Sequence, residues 1–206
     1  SSNGLYFLTI VTQHRVCNLG EVVTTNGQAH LQLSGFGKIV EAEWYRSFEI
    51  RQELYLDSWI MMPNHLHAIV GIKQPDKTRA MEPDDGVADG RAIENHDSDA
   101  DDAIIAVYGR APLRLHQQGT SRPRPFYRLP KSVSSFVAGF KSAVNSKIDD
   151  YIDQEMLNIP KYNRNNHFFQ PDYYDHIVCN EYSYYLIREY IRNNPAKWAG
   201  DALNNG

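Results

Sequence analysis

At 206 residues, 42% hydrophobic and 12% aromatic, the chain suits one well-cored globular domain (1–206) and is short for two. It has no apolar run near the ~20 residues of a membrane span, no charged segment followed by an apolar one as in a signal peptide, and only two cysteines, Cys17 and Cys179, too few for a disulfide framework or a Cys-x-x-Cys metal motif; a cytoplasmic location is the default expectation. The net charge of −4 hides an asymmetry: residues 82–102 hold nine acids and one base, Arg91, which leaves the remainder at +4, and residues 103–148 hold eight bases and no acid. A mildly basic body with an acidic loop permits a polyanionic partner.

Residues 5–12 are β-branched and aromatic with incomplete alternation, which predicts a central, covered strand. Residues 13–34 read as a loop, with Asn26-Gly27 able to turn a small hairpin. Between residues 35 and 51, Phe36, Ile39, Val40, Trp44 and Phe48 recur at helical spacing. Residues 54–62 predict a second strand, Pro63-Asn64 a turn, and residues 65–72 a third strand antiparallel to the second. The polar, acidic stretch that follows reads as a disordered insertion at about 74–107, and residues 108–130, rich in Pro and Arg, as an extended basic linker. From Ser132 onward, Val133, Phe136, Val137, Phe140, Val144 and Ile148 give a second helix its apolar stripe. Residues 151–166 read as irregular, and 167–170 with 173–178 as a fourth strand broken around Pro171. Asn180 is a good N-cap for a third helix, expected to stop near Asn193, before Pro195. The order β-α-β-β-α-β plus a final helix predicts an α+β, ferredoxin-like antiparallel sheet with two helices on one face. The extra C-terminal helix would lie across the sheet face or its edge, near the histidine strand.

Two features carry chemistry. In a strand, His65 and His67 point to one face and Leu66 to the other, so two neutral imidazoles could share a divalent ion while Leu66 anchors in a core. The plain alternative is two surface histidines on a half-exposed strand, since short motifs recur by chance. Two ligands also leave a site incomplete, so a third oxygen or nitrogen must come from elsewhere. The second feature is a run of tyrosines, Tyr173, Tyr174, Tyr182, Tyr184, Tyr185 and Tyr190. A tyrosine can be a covalent nucleophile, but its pKa near ~10 calls for a metal or base beside it. Most of the six must be core or interface residues, and spacing does not choose among them. Tyr190 and Asn194, at i and i+4, share a helix face, so the asparagine carbonyl could complete a ligand set beside the tyrosine. Asn-Asn-Pro is equally ordinary helix-stop chemistry. His176 either orients a phosphate or another side chain, or sits satisfied on the strand edge.

Four stretches together resemble the single-tyrosine HUH transposases of the insertion-sequence-200-like type, and within them the REP-associated tyrosine transposases. They are the N-terminal Tyr-Phe-Leu-Thr strand, Trp59-Ile-Met-Met-Pro-Asn-His-Leu-His67, Phe169-Gln-Pro-Asp-Tyr-Tyr-Asp-His-Ile-Val178 and Ile187-Arg-Glu-Tyr-Ile-Arg-Asn-Asn-Pro195. The resemblance implies that His65 and His67 are paired ligands of Mg²⁺ or Mn²⁺ and that Tyr190 is the nucleophile. It implies Asn194 as the third ligand, where some relatives carry the longer Gln, and positional roles for Gln170 and His176. It further implies cleavage and rejoining of hairpin-containing single-stranded DNA through a 5′-phosphotyrosine, without ATP. Arg122, Arg124, Arg128, Lys131 and Lys141 are the candidates for phosphate contacts. Some relatives are dimers in which the tyrosine helix serves the partner's site and others act as monomers, so a homodimer is compatible with the resemblance. Two other readings stay open: a non-cleaving single-stranded nucleic-acid-binding protein on the same fold, although no RNP1-like pattern lies on a central strand, and a protein-interaction domain with incidental histidines.

Overall fold

The computed structural model describes residues 4–73 and 132–204. The acidic insertion expected at about 74–107, and Arg122, Arg124, Arg128 and Lys131, lie outside the described residues. In chain order the elements are β1 Leu5–Val11, β2 Gly20–Thr25, β3 Gln28–Leu33, α1 Gly35–Ile50, β4 Leu54–Met62, β5 His65–Ile72, α2 Val133–Gln154, β6 Tyr174–Val178 and α3 Glu181–Lys197.

Four strands form an antiparallel sheet in the order β4-β5-β1-β6, which puts β1 and β5 inside and leaves β4 and β6 as edges. Strand alternation gives the sheet two different faces. Leu8, Ile10, Leu66, Ala68 and Val70 face α1 and α2, in a core built around Trp44. The Trp44 indole meets the rings of Phe48, Trp59, Phe136 and Phe140. On the opposite face, Phe7 and Ile69 pack against Ile187 and Ile191 of α3. Helix α3 therefore covers the face that α1 and α2 leave open. Strand β5 is buried on both sides, which is why its sequence is nearly all apolar apart from the histidines.

Strand β4 contains an irregularity. Its register against β5 shifts between Leu56 and Ser58, so Asp57 is an extra, bulged residue. Leu54 and Leu56 before it, and Trp59 and Met61 after it, all join the Trp44 core. Uninterrupted alternation would send one of those pairs to the other face.

Local chemistry sets the helix starts. The Ser34 hydroxyl accepts from Gly37 N, Ser132 and Ser135 form a reciprocal capping box, and Asn180 Oδ1 accepts from Ser183 N. Four segments differ from the sequence expectation. Residues 20–33 are paired along their full length, more than the small hairpin expected, and the turn falls at Asn26 and Gly27 as expected, both with φ in the left-handed region (53° and 77°). Helix α2 continues to Gln154, because Ile152 extends its buried stripe. Strand β6 is confined to Tyr174–Val178; upstream of Pro171, Phe169 meets the sheet only through an isolated bridge to Thr12. Helix α3 runs through Pro195 to Lys197 and continues into a 3-10 turn, Trp198–Gly200. Asn194 and Pro195 are buried, and that packing overrides the local tendency of Asn-Pro to end a helix. Among the described residues no helix is long and apolar enough to cross a membrane.

Candidate active site

The register of the sheet places the histidines in neighbouring rows. His67 lies opposite Thr9 on β1, and Thr9 lies opposite Tyr174 on β6; one row along, His65 lies opposite Val11. Both imidazoles face α3, with ring centroids 4.5 Å apart. Leu66, fully buried, points into the opposite core.

Helix α3 brings Tyr190 over this pair. Its hydroxyl is 3.2 Å from His67 Nε2, a hydrogen bond made within one chain. One turn later Asn194 is buried, and its side-chain amide is also hydrogen-bonded to Tyr190. His67 Nδ1 bonds to Thr9 Oγ1 at 2.8 Å, and Phe7 stacks on the His67 ring at 5.4 Å. His65 Nδ1 donates to Asn64 Oδ1 at 2.7 Å, and Trp198 lies beside the His65 ring at 6.0 Å. Among the described residues, two buried polar atoms at this place have no hydrogen-bond partner, His65 Nε2 and Asn194 Oδ1. Both are lone-pair donors, one an imidazole nitrogen and the other an amide oxygen.

The electrostatics follow from burial. Burial pushes the His67 pKa down to about 3. His65 is held well below its ordinary value, first by burial and then by the positive charges of His67 and Arg15. Both rings are therefore neutral near pH 7, the form that ligates a cation. Tyr190 is pushed up to about 12, mainly by burial and further by the Asp201 carboxylate, while the Asn194 hydrogen bond pulls the other way. Burial raises the Tyr190 pKa and lowers that of His67, so proton transfer from Tyr190 to His67 is strongly disfavoured. His67 alone is thus a poor general base for this tyrosine. The donor set fits a divalent cation: two neutral imidazoles and an amide oxygen, with two of the three donor atoms buried and unpartnered. Among the described residues no three His, Cys, Asp or Glu side chains form a metal-binding group.

Of the six tyrosines, Tyr190 is the one hydrogen-bonded to a site histidine. Tyr174 shares the row of His67 and Thr9 and packs edge-on to Phe7. Tyr184 donates to both carboxylate oxygens of Asp57, at 3.1 Å each, and accepts from Arg188. Tyr173 lies on the other side of the sheet, where its hydroxyl bonds to Ser134. Tyr182 and Tyr185 are exposed. Gln170 joins the sheet end through its backbone, N to Val11 O. His176 lies opposite Phe7, one row from His67 on the same face. The Lys141 ammonium donates to the carbonyls of Gln170 (2.7 Å), Pro171 (3.2 Å) and Asp172 (3.0 Å), and so clamps the loop before β6. Five residues of the site escape sequence reasoning: Phe7, Thr9, Asn64, Trp198 and Asp201. Thr9 could have been found as the only aliphatic hydroxyl in its otherwise apolar and aromatic strand; the others carry no distinguishing local pattern.

No protein-family model matches the chain. An uncharacterized protein of Haemophilus influenzae is 28% identical over 202 residues, covering 98% of this chain and 86% of its own length. Among solved structures, a REP-associated tyrosine transposase bound to a REP hairpin is similar with 14% identity and a TM-score of 0.47, over 95% of this chain and 68% of that one. A transposase candidate from Deinococcus radiodurans R1, also 14% identical, gives a TM-score of 0.36 over 94% and 92%.

Proposed function

We propose that the protein is a metal-dependent single-stranded DNA transposase/endonuclease of the HUH type, acting through a 5′-phosphotyrosine on Tyr190 and built on a ferredoxin-like sheet. One observation carries the proposal: Tyr190 is hydrogen-bonded to His67 within a single chain, beside two buried lone-pair atoms, His65 Nε2 and Asn194 Oδ1, that lack partners. The strand order β4-β5-β1-β6, with α1 and α2 on one face, supports the ferredoxin-like description.

His65, His67 and Asn194 would hold the cation, Mg²⁺ or Mn²⁺. When bound, it supplies Lewis-acid polarisation of the scissile phosphate and lowers the cost of ionising a nearby phenol. Tyr190 Oη attacks phosphorus, the bond from phosphorus to O3′ breaks, and the departing oxygen takes a proton to become a 3′-hydroxyl. The phosphodiester energy is kept in the Tyr190 link, so a 3′-hydroxyl can reverse the step and rejoin strands without ATP. His67 Nε2 is hydrogen-bonded to Tyr190, so its lone pair would be available to a cation only with that hydrogen bond given up. Burial keeps Tyr190 protonated until then, which suppresses adventitious nucleophilic attack. Hairpin-containing single-stranded DNA is the proposed substrate.

The test is to incubate end-labelled, hairpin-containing single-stranded DNA with protein and Mn²⁺ or Mg²⁺, then resolve products under denaturing conditions. Wild type gives a covalent protein–DNA adduct. Tyr190→Phe gives none, and neither does His65→Ala combined with His67→Ala. An adduct surviving in Tyr190→Phe would refute the nucleophile; cleavage surviving in the double histidine variant would refute the metal site.

A further inference from the structure

Asn64 occupies the second position of the two-residue turn joining β4 to β5, where side chains ordinarily face water. Here it is completely buried. Its amide nitrogen donates to two backbone carbonyls from distant parts of the chain, Arg15 O at 3.1 Å and Leu203 O at 2.7 Å. With both amide hydrogens directed there, the orientation of the amide is fixed, and Oδ1 is left to face the His65 ring at 2.7 Å. The backbone carbonyl of Asn64 is held as well, accepting from Thr12 N at 2.8 Å and Thr12 Oγ1 at 3.0 Å. Two separate segments, the Thr12–Arg15 turn and the chain at Leu203, thus converge on one turn residue.

Their convergence has a cost. His14 and Arg15 both adopt left-handed backbone angles, with φ of 56° and 55°, a region unfavourable for side chains with a Cβ. That strained turn is what presents the Arg15 carbonyl to Asn64. Capping a hairpin does not require such a construction.

We propose that Asn64 is a positioning residue: it fixes His65 as the Nδ1–H tautomer and so turns a permanently available Nε2 lone pair toward the site. An amide oxygen can only accept, so the proton must stand on Nδ1 and Nε2 must be bare. The unpartnered state of His65 Nε2 follows directly from this arrangement. Leu203 adds a second consequence. The segment after α3 is fastened to the same amide, with Arg15 Nη1 donating beside it to Ala202 O, so one side chain links the ring orientation of His65 to the chain beyond Tyr190 and Asn194.

The tautomer part is independent of the proposed function; the effect on cation binding rests on it, and the experiment separates them. In metal-free, ¹⁵N-labelled protein at mildly alkaline pH, long-range ¹H–¹⁵N spectra read the tautomer of His65, assigned by comparison with His65→Gln. Wild type is expected to give the Nδ1–H pattern. Asn64→Leu, which fills the space without an acceptor, should lose it, and Mn²⁺ affinity measured by titration calorimetry should fall roughly 10–100-fold. Asn64→Asp keeps an acceptor for His65 but gives up both bonds to the carbonyls; it should retain the tautomer and most of the Mn²⁺ affinity. A merely structural role predicts the reverse, with Asn64→Asp damaged at least as much as Asn64→Leu. The proposal is overturned if wild-type His65 is protonated on Nε2, if Asn64→Leu keeps the wild-type tautomer, or if Asn64→Asp loses it. Should Asn64→Leu not fold, wild type and Asn64→Asp decide between these outcomes. Absence of Mn²⁺ binding in wild type, with the tautomers as expected, would sink the metal reading of the site and leave the positioning role established.

Discussion

Acidification tests whether His67 is held neutral in the folded protein. Its pKa is about 3 when folded and 6.5 when exposed. The unfolded chain therefore takes up a proton as pH falls through 6.5, whereas the folded chain does not until near 3. Between those values the unfolded state binds more protons, so stability is complete above 6.5 and declines with falling pH across the window. Moving from about pH 7.5 to about pH 5 should cost ~2 kcal/mol from His67 alone. His65, depressed in the same direction, adds to the loss. The assay is urea denaturation at the two pH values in chelator, for wild type and His67→Gln. The substitution will lower stability at both, through lost packing against Phe7 and the lost bond to Thr9. The informative quantity is the difference between the two pH values, which should shrink by ~2 kcal/mol in the variant. An unchanged difference would mean that His67 titrates normally in the folded state, and the neutral, ligand-ready imidazole pair would have to be abandoned.

Three further outcomes are expected. Tyr190→Phe mixed with the His65→Ala/His67→Ala double variant should give no covalent adduct, because tyrosine and histidines already meet within one chain; adduct formation on mixing would show that the tyrosine serves a second subunit. Mn²⁺ at about a hundredfold over its Kd should stabilise wild type by ~2.7 kcal/mol, roughly 5–10 °C in Tm, and leave the double histidine variant unmoved; calorimetric scans with and without chelator decide it. Leu66→Ala, at a fully buried position between the two histidines, should cost ~2–5 kcal/mol in chemical denaturation, and a loss below ~1 kcal/mol would contradict its anchoring role.

The sequence made some of this legible and hid the rest for identifiable reasons. Strands β4 and β5 could be bounded to the residue because turn chemistry at Pro63-Asn64 interrupts an apolar run. The shared face of His65 and His67 follows from strand geometry alone. Tyr190 could not be picked from six tyrosines by spacing, because its distinction is a contact made by a helix folding back across the sheet. Asn64 and Asp201 were invisible for the same reason: each acts on the site through a contact that local sequence does not encode. Pro195 misled, since a local rule about helix ends gave way to burial of Asn194 and Pro195. Lys141 looked like a surface cation, yet three carbonyls surround its ammonium.

The extra residue in β4 bears on how this protein can change over time. Asp57 separates Leu54 and Leu56 from Trp59 and Met61, which lead into the histidine turn, and lets both pairs face the Trp44 core although they are out of phase by one position. The same residue holds Tyr184, six positions before Tyr190, so helix α3 is clocked against the sheet at the point where the strand slips phase. One residue added between those tyrosines would turn the second by ~100° relative to the first, and one removed at Asp57 would throw either the core leucines or the chemical half of the hairpin onto the wrong side. Substitutions can be absorbed piecemeal here, but gains and losses of single residues cannot, and the lineage of this site should read as a strand and a helix whose lengths are frozen while their side chains drift.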